Sequence, residues 1–236
     1  MNKRKPSSPR ILKAIDRPRV ALSFDDGYLE HYHTAELLHA QGVSATYFII
    51  TGLRSWNNRP LLTMRPDLIR LMREMGHEIA SHSVSHPDLR KLTDAQVRIE
   101  LLGSKEYLEC LLEEDVQGLA YPYGSYSSRI RGIASRYYGY ARTAKERVSS
   151  TRYELPIRSP GLSLRLCSVL MTRSLLTGRD ACILLIHRID AYSLRLCLEY
   201  LRLFRVRFVT VSEIVASKLG ATEAARTRYP LEVLIE

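Results

Sequence analysis

The feature that most constrains this chain is the regular alternation of short apolar runs with longer stretches of helical spacing. The run Val20–Phe24 is typical of a buried strand, residues 28–40 have helical periodicity, and Ala45–Ile50 is β-branched and aromatic. The rhythm continues to a last apolar run at Arg207–Val211. Because strands that alternate with helices form parallel sheets, the sequence predicts an α/β fold.

The remaining elements follow from glycine positions, capping signals and apolar periodicity. Strands are predicted over 78–81, 118–121, 139–142 and 181–186, and helices over 66–75, 93–112, 128–137 and 194–204. Thr93 and Gln96 have the spacing of a capping box, and Ser212 is predicted to cap a final helix. Seven or eight such units favour a closed α/β barrel over an open sheet.

Length and composition narrow the classes of protein. The chain has 236 residues, of which 45% are hydrophobic and 25% charged, as in ordinary globular domains. We predict a basic disordered arm over residues 1–17, one barrel domain over 18–220 and a tail over 221–236. No signal peptide or membrane-spanning run is recognised, so a cytoplasmic location is expected.

The formal net charge of +10 invites an acidic partner, such as nucleic acid, an anionic membrane or an acidic glycan. The basic residues are spread over the whole chain and no nucleic-acid motif accompanies them. Solvation of helices is therefore the favoured interpretation, and an anionic surface partner is the alternative. The sequence leaves the oligomeric state open.

Polar residues that can carry chemistry follow the carboxyl ends of predicted strands. Asp25 and Asp26 follow the first strand. His82 follows the third strand, with His86 four residues further on, and His187 follows the apolar run that ends at residue 186. In a parallel barrel these strand ends share one face, where active sites are built. We therefore expect the five side chains to converge.

The histidine pair, the aspartate pair and His187 each have an ordinary structural interpretation when considered alone. On one helical turn, His82 and His86 would point the same way and suit zinc, yet such pairs also occur on surfaces. In an extended chain, Asp25 and Asp26 would point to opposite sides, so one could bind a metal while the other acts as a base. The alternative is a solvated turn. For His187 the alternative is a strand-end histidine bonded to the backbone.

Taken together, four segments in this order resemble the motifs of the polysaccharide deacetylase family, the nodulation-deacetylase-like group also called carbohydrate esterase family four. They are Ser23-Phe-Asp-Asp-Gly-Tyr28, His82-Ser-Val-Ser-His86-Pro87, Tyr121-Pro-Tyr-Gly124 and Leu185-Ile-His187. The resemblance extends over nearly the whole chain, from about residue 19 to about residue 215. It implies a distorted (β/α)7 barrel in a single domain that hydrolyses the N-acetyl group of an amino sugar.

The resemblance also implies roles for individual residues. Asp26, His82 and His86 look like the ligands of one divalent metal ion, Zn²⁺ first, with Co²⁺, Ni²⁺ and Mn²⁺ as alternatives. Asp25 looks like the general base that takes a proton from water. His187 looks like the general acid that protonates the leaving amine, a role that suits imidazole.

Residues around this centre are assigned in the same way. The backbone N–H of Tyr123 resembles the oxyanion donor of the family. Leu185 resembles a wall of the pocket for the acetyl methyl group. Trp56, Tyr121 and Pro122 are predicted to contact the sugar, on which the rings of Trp56 and Tyr121 could stack.

The sequence departs from the family pattern in two places. The arginine that begins the third motif and orients the base is replaced by Ala120. We predict that Arg158 supplies the missing charge partner of Asp25 from a neighbouring strand. The aspartate and tryptophan of the fourth motif have no counterpart, since the only tryptophan is Trp56. The absence of this aspartate and tryptophan argues against a classical chitin or peptidoglycan substrate.

Three functional hypotheses follow. The favoured one is a metal-dependent hydrolase that removes N-acetyl groups from N-acetylated amino sugars in a glycan or glycan precursor. The second is a hydrolase of another linear or cyclic non-peptide amide on the same scaffold. The third is a barrel without catalysis that binds glycans or nucleic acid. The presence of all five metal and acid–base residues argues against the third.

Overall fold

A computed structural model describes residues 17–144, 152, 155 and 181–217, and seven of its strands form one sheet in which every pairing is parallel. In chain order the strands are β1 (Arg19–Phe24), β2 (Thr46–Ile49), β3 (Ser55–Trp56), β4 (Arg59–Pro60), β5 (Glu78–Ser81), β6 (Gly118–Ala120), β7 (Tyr140–Arg142), β8 (Ala181–Ile186) and β9 (Arg207–Phe208). The sheet has the order β7-β6-β5-β2-β1-β8, and β9 pairs with the beginning of β1. β3 and β4 form a separate hairpin.

Helices connect these strands, as the alternating pattern predicts. They are α1 (His31–Ala40), α2 (Pro66–Glu74), α3 (Asp94–Leu112), α4 (Ser128–Ala134) and α5 (Ala191–Leu203). Residues 211–217, the last that the structure describes, are also helical. The parallel sheet curls around its own interior with helices outside it, which is a partly open α/β barrel.

The core has two layers because successive residues of a strand point to opposite faces. On β1, Leu22 and Phe24 pack with the helices in the largest apolar cluster. Ala21 points the other way and joins Phe48 and Leu185 in a cluster inside the barrel. This interior cluster lies beneath the carboxyl ends of the strands and supports the side chains that project there.

Capping signals explain where two of the helices begin. The predicted box at α3 is confirmed, because Thr93 Oγ1 accepts from the backbone N–H of Gln96 and Gln96 Oε1 accepts from that of Thr93. The prediction that Ser212 caps the last helix is wrong. Thr210 does so, since its Oγ1 accepts from the N–H of Glu213 at 3.3 Å and its own N–H donates to Glu213 Oε2 at 2.7 Å. A Thr-x-x-Glu box two residues earlier outcompetes Ser212.

The two-stranded hairpin of β3 and β4 carries Trp56. Trp56 pairs with Arg59 across the hairpin, and the two residues between them, Asn57 and Asn58, have φ angles of 48° and 58°. Two successive left-handed residues make a type I′ turn, which asparagine tolerates. The indole is therefore held by a paired hairpin. No helix among the described residues has the length and apolarity needed to cross a bilayer.

Candidate active site

The structure brings the side chains at the strand ends together around one cleft of about 480 Å³. Its lining residues are Asp25, Asp26, Tyr28, Trp56, Asn57, His82, His86, Tyr123, Gly124, Ala144, Leu185 and His187. They lie at or just after the carboxyl ends of β1, β5, β6, β7 and β8, or belong to the hairpin of β3 and β4. A volume of this size is in the range of small-molecule sites.

The two carboxylates after β1 face the same imidazole. Asp26 has φ 72°, so the chain turns sharply at this residue and the extended geometry expected for the pair is not observed. Asp25 Oδ2 and Asp26 Oδ1 lie 3.8 and 3.6 Å from Nε2 of His82. Gly27 follows with φ 70°, and a Cβ at this position would lie only 3.0 Å from the Ile49 side chain. The tight turn therefore requires glycine.

The two histidines are presented by an irregular loop, and not by the helical turn that their spacing suggests. Ser83 and His86 have φ angles of 66° and 57°, and Ser83 Oγ accepts from the N–H of His86 at 3.0 Å. Ser85 donates its N–H and its hydroxyl to the Glu100 carboxylate on α3, at 2.8 and 2.6 Å. These bonds hold the loop so that the rings of His82 and His86 meet with centroids 4.6 Å apart.

Asp26, His82 and His86 form a cluster with the dimensions of a metal site. The two Nε2 atoms are 3.2 Å apart, and Asp26 Oδ1 lies 3.6 Å from that of His82 and 3.7 Å from that of His86. Ligands at 2.0–2.1 Å from a tetrahedral ion would be roughly 3.3 Å apart, so the three atoms fit one ion such as zinc. Among the described residues, no other group of three or more such side chains comes this close.

The surroundings of both imidazoles suit metal binding through Nε2. Nδ1 of His82 faces the backbone carbonyl oxygen of Ala120 at 2.8 Å, and only a protonated Nδ1 can donate to it. This bond orients the ring so that Nε2 of His82 faces Asp26 Oδ1 at 3.6 Å. Burial, with the neighbouring His82, lowers the pKa of His86 to about 3, so its ring is neutral at pH 7.

Asp25 has a buried cationic partner that the sequence analysis did not select. Nη2 of Arg142 donates to Asp25 Oδ1, and Arg142 is 1% exposed. Burial on its own raises the pKa of Asp25, but the positive charges of Arg142, His82 and His187 outweigh it, so the pKa lies below the usual range. The carboxylate is therefore ionised at neutral pH.

One signal for Arg142 was present in the sequence. The predicted strand 139–142 ends at this arginine, on the same edge as the other functional groups. Arg158, which was predicted from the sequence to be the charge partner of Asp25, lies outside the described residues. The guanidinium that the structure places on Asp25 is that of Arg142.

His187 lies at the mouth of the cleft, directly after β8. Its side chain is exposed, whereas Leu185 of the same strand is 2% exposed and joins the interior apolar cluster. Nε2 of His31 on α1 lies 2.8 Å from the backbone carbonyl oxygen of His187. His31 is enclosed by the rings of Phe24 and Tyr47. The segment that carries His187 is therefore anchored to α1.

Two aromatic side chains flank the proposed ligand His86. The ring centroid of Trp56 lies 4.7 Å from that of His86, and the ring of Tyr123 lies 4.6 Å away from it. Tyr123 is 60% exposed and has φ 57°, within the short turn that follows β6. Trp56 and Tyr123 thus offer aromatic surface beside the metal cluster.

Two other residues selected from the sequence do not line the cleft. Tyr121 is 2% exposed and stacks on Tyr126 with ring centroids 5.2 Å apart. It belongs to an apolar cluster with residues of α3 and α4. Pro122 is buried beside it at the start of the turn. Their side chains pack beneath the segment that carries Tyr123.

Fold and site together define a parallel α/β barrel with a carboxylate–imidazole cluster at the carboxyl ends of its strands. The family model described as polysaccharide deacetylase matches residues 13–141, more than half of the chain. The chain therefore belongs to the polysaccharide deacetylase family, as the sequence motifs predict.

Curated relatives carry deacetylase names. The peptidoglycan-N-acetylglucosamine deacetylase PgdA of Listeria monocytogenes is 25% identical over 216 residues, which cover 89% of this chain and 42% of that protein. A chitooligosaccharide deacetylase of Sinorhizobium fredii is 31% identical over 116 residues, which cover 48% of this chain and 50% of that protein. The chain thus spans half or less of the length of these relatives.

Solved structures confirm the predicted single-domain, distorted (β/α)7 barrel. The Xyl-CE4 domain of a xylanase from the hindgut metagenome of Trinervitermes trinervoides has a TM-score of 0.63 at 22% identity, covering 86% of this chain and 91% of that one. T48 deacetylase with substrate has a TM-score of 0.62 at 21% identity, with coverage of 85% and 92%. BA3943 of Bacillus anthracis, a CE4 family pseudoenzyme, has a TM-score of 0.61 at 16% identity, with coverage of 84% and 65%.

Proposed function

We propose that this chain is a metal-dependent hydrolase that removes N-acetyl groups from N-acetylated amino sugars in a glycan or glycan precursor. One observation carries the proposal. A second carboxylate, Asp25, lies beside the Asp26–His82–His86 cluster, with its Oδ2 3.8 Å from His82 Nε2. A bound metal ion that polarises a carbonyl, together with an adjacent ionised base, can hydrolyse an amide. Membership of a deacetylase family supplies the bond type.

The cluster would hold one divalent ion through Asp26 Oδ1 and the Nε2 atoms of His82 and His86. Two neutral imidazoles and one carboxylate favour Zn²⁺ and also accept Co²⁺, Ni²⁺ or Mn²⁺. When bound, the ion supplies Lewis acidity, which polarises an amide carbonyl and lowers the pKa of water. Three protein ligands leave positions open for substrate and water.

Asp25 acts as the general base. Its Oδ1 is occupied by Arg142, while its Oδ2 faces the cluster and can accept the proton of the attacking water. The lowered pKa keeps the carboxylate ionised, as a base must be. The backbone N–H of Tyr123 stabilises the negative charge that develops on the carbonyl oxygen.

His187 acts as the general acid. An amine is a poor leaving group until it is protonated, and His187 lines the same cleft as the base, after the neighbouring strand β8. Leu185 contributes an apolar wall that accommodates the acetyl methyl group and excludes water from it. The hydrogen bond from His31 fixes the backbone that carries the acid.

The surface beside His86 is suited to a sugar ring. Trp56 and Tyr123, which both contact the His86 ring, offer aromatic faces on which the apolar face of a pyranose can stack. The paired hairpin holds the indole in place before substrate arrives, which limits the entropy lost on binding.

Two alternatives to this function are hydrolysis of a different amide and binding without catalysis. The fourth-motif aspartate and tryptophan are absent from this sequence, which favours a different amide substrate as the second candidate. A pseudoenzyme shares the fold, so the fold alone does not carry catalysis. This chain keeps all five metal and acid–base side chains, and those described in the structure line one cleft.

Acetate release from N-acetylglucosamine oligomers by the zinc-loaded protein tests the proposal. Wild type is expected to release acetate, whereas Asp25→Ala and His82→Ala are expected to lose it. The exposed residue His33 supplies the control, since His33→Ala should keep full activity. A protein that holds zinc without releasing acetate would point to the other amide. A protein with neither zinc nor acetate would point to the binding barrel.

A further inference from the structure

The third-motif arginine is missing from β6, yet a guanidinium still reaches the proposed base. Arg142 is the last residue of β7, 1% exposed, and its Nη2 donates to Asp25 Oδ1. Its Nη1 donates to the backbone oxygen of Thr143 at 3.3 Å, and the guanidinium lies 4.7 Å from the ring centroid of Phe48. A buried arginine is costly without a partner, so this placement needs a specific reason.

The register of the sheet supplies that reason. β6 and β7 are parallel, and Ala120 is the Cα partner of Arg142. Residues in register on neighbouring parallel strands project to the same face, with the strands about 4.8 Å apart. The side chains of Ala120 and Tyr140 both lie in the interior cluster, so Arg142, two residues after Tyr140, also points into the barrel. The small alanine leaves room for the long side chain from the next strand.

The ion pair also gives the two oxygens of the Asp25 carboxylate different surroundings. Oδ1 of Asp25 is taken by Arg142, and Oδ2 lies 3.8 Å from His82 Nε2, toward the metal cluster. With one oxygen fixed, the carboxylate plane cannot rotate freely, and the other oxygen is held at the cluster. Bidentate or branched donors such as guanidinium are suited to this task.

We infer that Arg142 is the positioning residue for the base Asp25. It takes the role of the third-motif arginine, whose position on β6 is occupied by Ala120, and it does so from the neighbouring strand β7. The inference rests on the proposed function, because it gives Arg142 a role only if Asp25 takes a proton. It predicts that the location of the arginine in the chain is unimportant, provided that its guanidinium reaches Asp25 Oδ1.

Relocating the arginine tests this inference directly. Zinc-loaded wild type, Arg142→Ala, Arg142→Lys and the double variant Ala120→Arg/Arg142→Ala are compared in acetate release, zinc content and thermal unfolding. Arg142→Ala should lower kcat about 100-fold with little change in KM, as expected for a misplaced catalytic group. Arg142→Lys should recover part of the loss. The double variant exchanges the alanine and the arginine between the two positions. Its kcat should be at least ~10-fold higher than that of Arg142→Ala.

Three outcomes would overturn the inference. Full activity of Arg142→Ala would show that Asp25 needs no such partner. A folded, zinc-loaded double variant as inactive as Arg142→Ala would show that position 142 matters and the guanidinium does not. Absence of acetate from wild type itself would overturn the proposed function, and the role of Arg142 with it. Recovery of the melting temperature in the double variant would then still report that the ion pair forms.

Discussion

His31 on α1 and His187 after β8 are joined by a hydrogen bond of 2.8 Å, from Nε2 of the first to the backbone carbonyl oxygen of the second. His31 is 1% exposed, and burial lowers its pKa, so the ring is neutral and Nε2 carries the proton that it donates. A helix behind the first strand thereby fixes the backbone of the proposed general acid.

Replacing His31 by leucine should weaken both the fold and the reaction. His31→Leu keeps apolar bulk among Phe24 and Tyr47 but removes the donor to the His187 carbonyl, at a cost of about 1 kcal/mol in the free energy of unfolding. We expect kcat for acetate release to fall more than KM changes. Urea unfolding and steady-state kinetics measure the two effects. His33→Leu, on the exposed side of α1, is the control. Equal behaviour of the two variants would contradict the prediction.

Trp56 should contribute to binding of the sugar and not to the chemical step. The indole lies 4.7 Å from His86 but contains no group that transfers a proton. Because an aromatic contact is worth about 1 kcal/mol, Trp56→Ala should raise KM for N-acetylglucosamine oligomers roughly fivefold. Trp56→Phe should retain part of this affinity, and kcat should change little. Leu203→Ala, which removes an exposed apolar side chain at the end of α5, is the control. An unchanged KM would exclude stacking on Trp56.

Gly124 should tolerate no side chain, for two separable reasons. It has φ 61°, and a Cβ at this position would overlap the backbone and side chain of Ala144. Gly42 has φ 65°, but a Cβ there would have no neighbour within 4 Å. Gly42→Ala should therefore lower the free energy of unfolding by only about 1–2 kcal/mol, the penalty for placing alanine in the left-handed conformation. Gly124→Ala should cost clearly more, since the overlap is added.

Urea unfolding of the two alanine variants checks this difference. Equal losses would show that the Tyr-Pro-Tyr-Gly turn can shift away from Ala144. A larger loss for Gly124→Ala, together with lower activity, would show that the turn is fixed where it carries Tyr123.

His77 should make the stability of the metal-free protein depend on pH. Its Nδ1 accepts from the N–H of Ala45 at 3.2 Å, its Nε2 donates to the carbonyl of Ala35 at 3.0 Å, and burial lowers its pKa. Below pH 6.5 the unfolded chain therefore binds a proton that the folded chain does not. The free energy of unfolding should fall as the pH drops through 6.5, by up to roughly 1.4 kcal/mol per pH unit for this histidine.

Urea unfolding between pH 7.5 and 5 measures that slope. His77→Gln should be less stable than wild type at pH 7.5, but its free energy of unfolding should fall less than that of wild type as the pH drops. His33→Gln, an exposed substitution on α1, should keep the slope of wild type. A slope that His77→Gln leaves unchanged would assign the pH dependence to other groups.

The sequence predicted the elements that depend on strong local signals. The apolar run 181–186 is β8, and the Thr93–Gln96 spacing marks the start of α3, because burial and capping are encoded by adjacent residues. Convergence of the strand ends follows from parallel topology, since all these ends meet on one face. For this reason the residues at the strand ends could be expected to converge, whereas the choice of Asp26, His82 and His86 as metal ligands came from the family resemblance.

What the sequence did not predict depends on backbone turns and on register between distant strands. The left-handed conformations of Asp26 and His86 bring their side chains to one point, although extended and helical geometry were expected. Arg142 meets Asp25 across 117 positions of the chain, and only the pairing of β7 with β6 reveals that it stands beside Ala120. The hairpin that holds Trp56 depends on a turn formed by two asparagines, a weaker signal than Asn-Gly.

The central claim is that one metal ion, held by Asp26, His82 and His86, works with Asp25 to release acetate. Stepwise addition of Zn²⁺ to metal-free protein tests it most directly, with bound zinc and the rate of acetate release measured in the same samples. We predict that both rise together and level off at one equivalent, and that Asp25→Asn binds one equivalent without releasing acetate. Acetate release at full rate without zinc, or an active Asp25→Asn variant, would contradict the account.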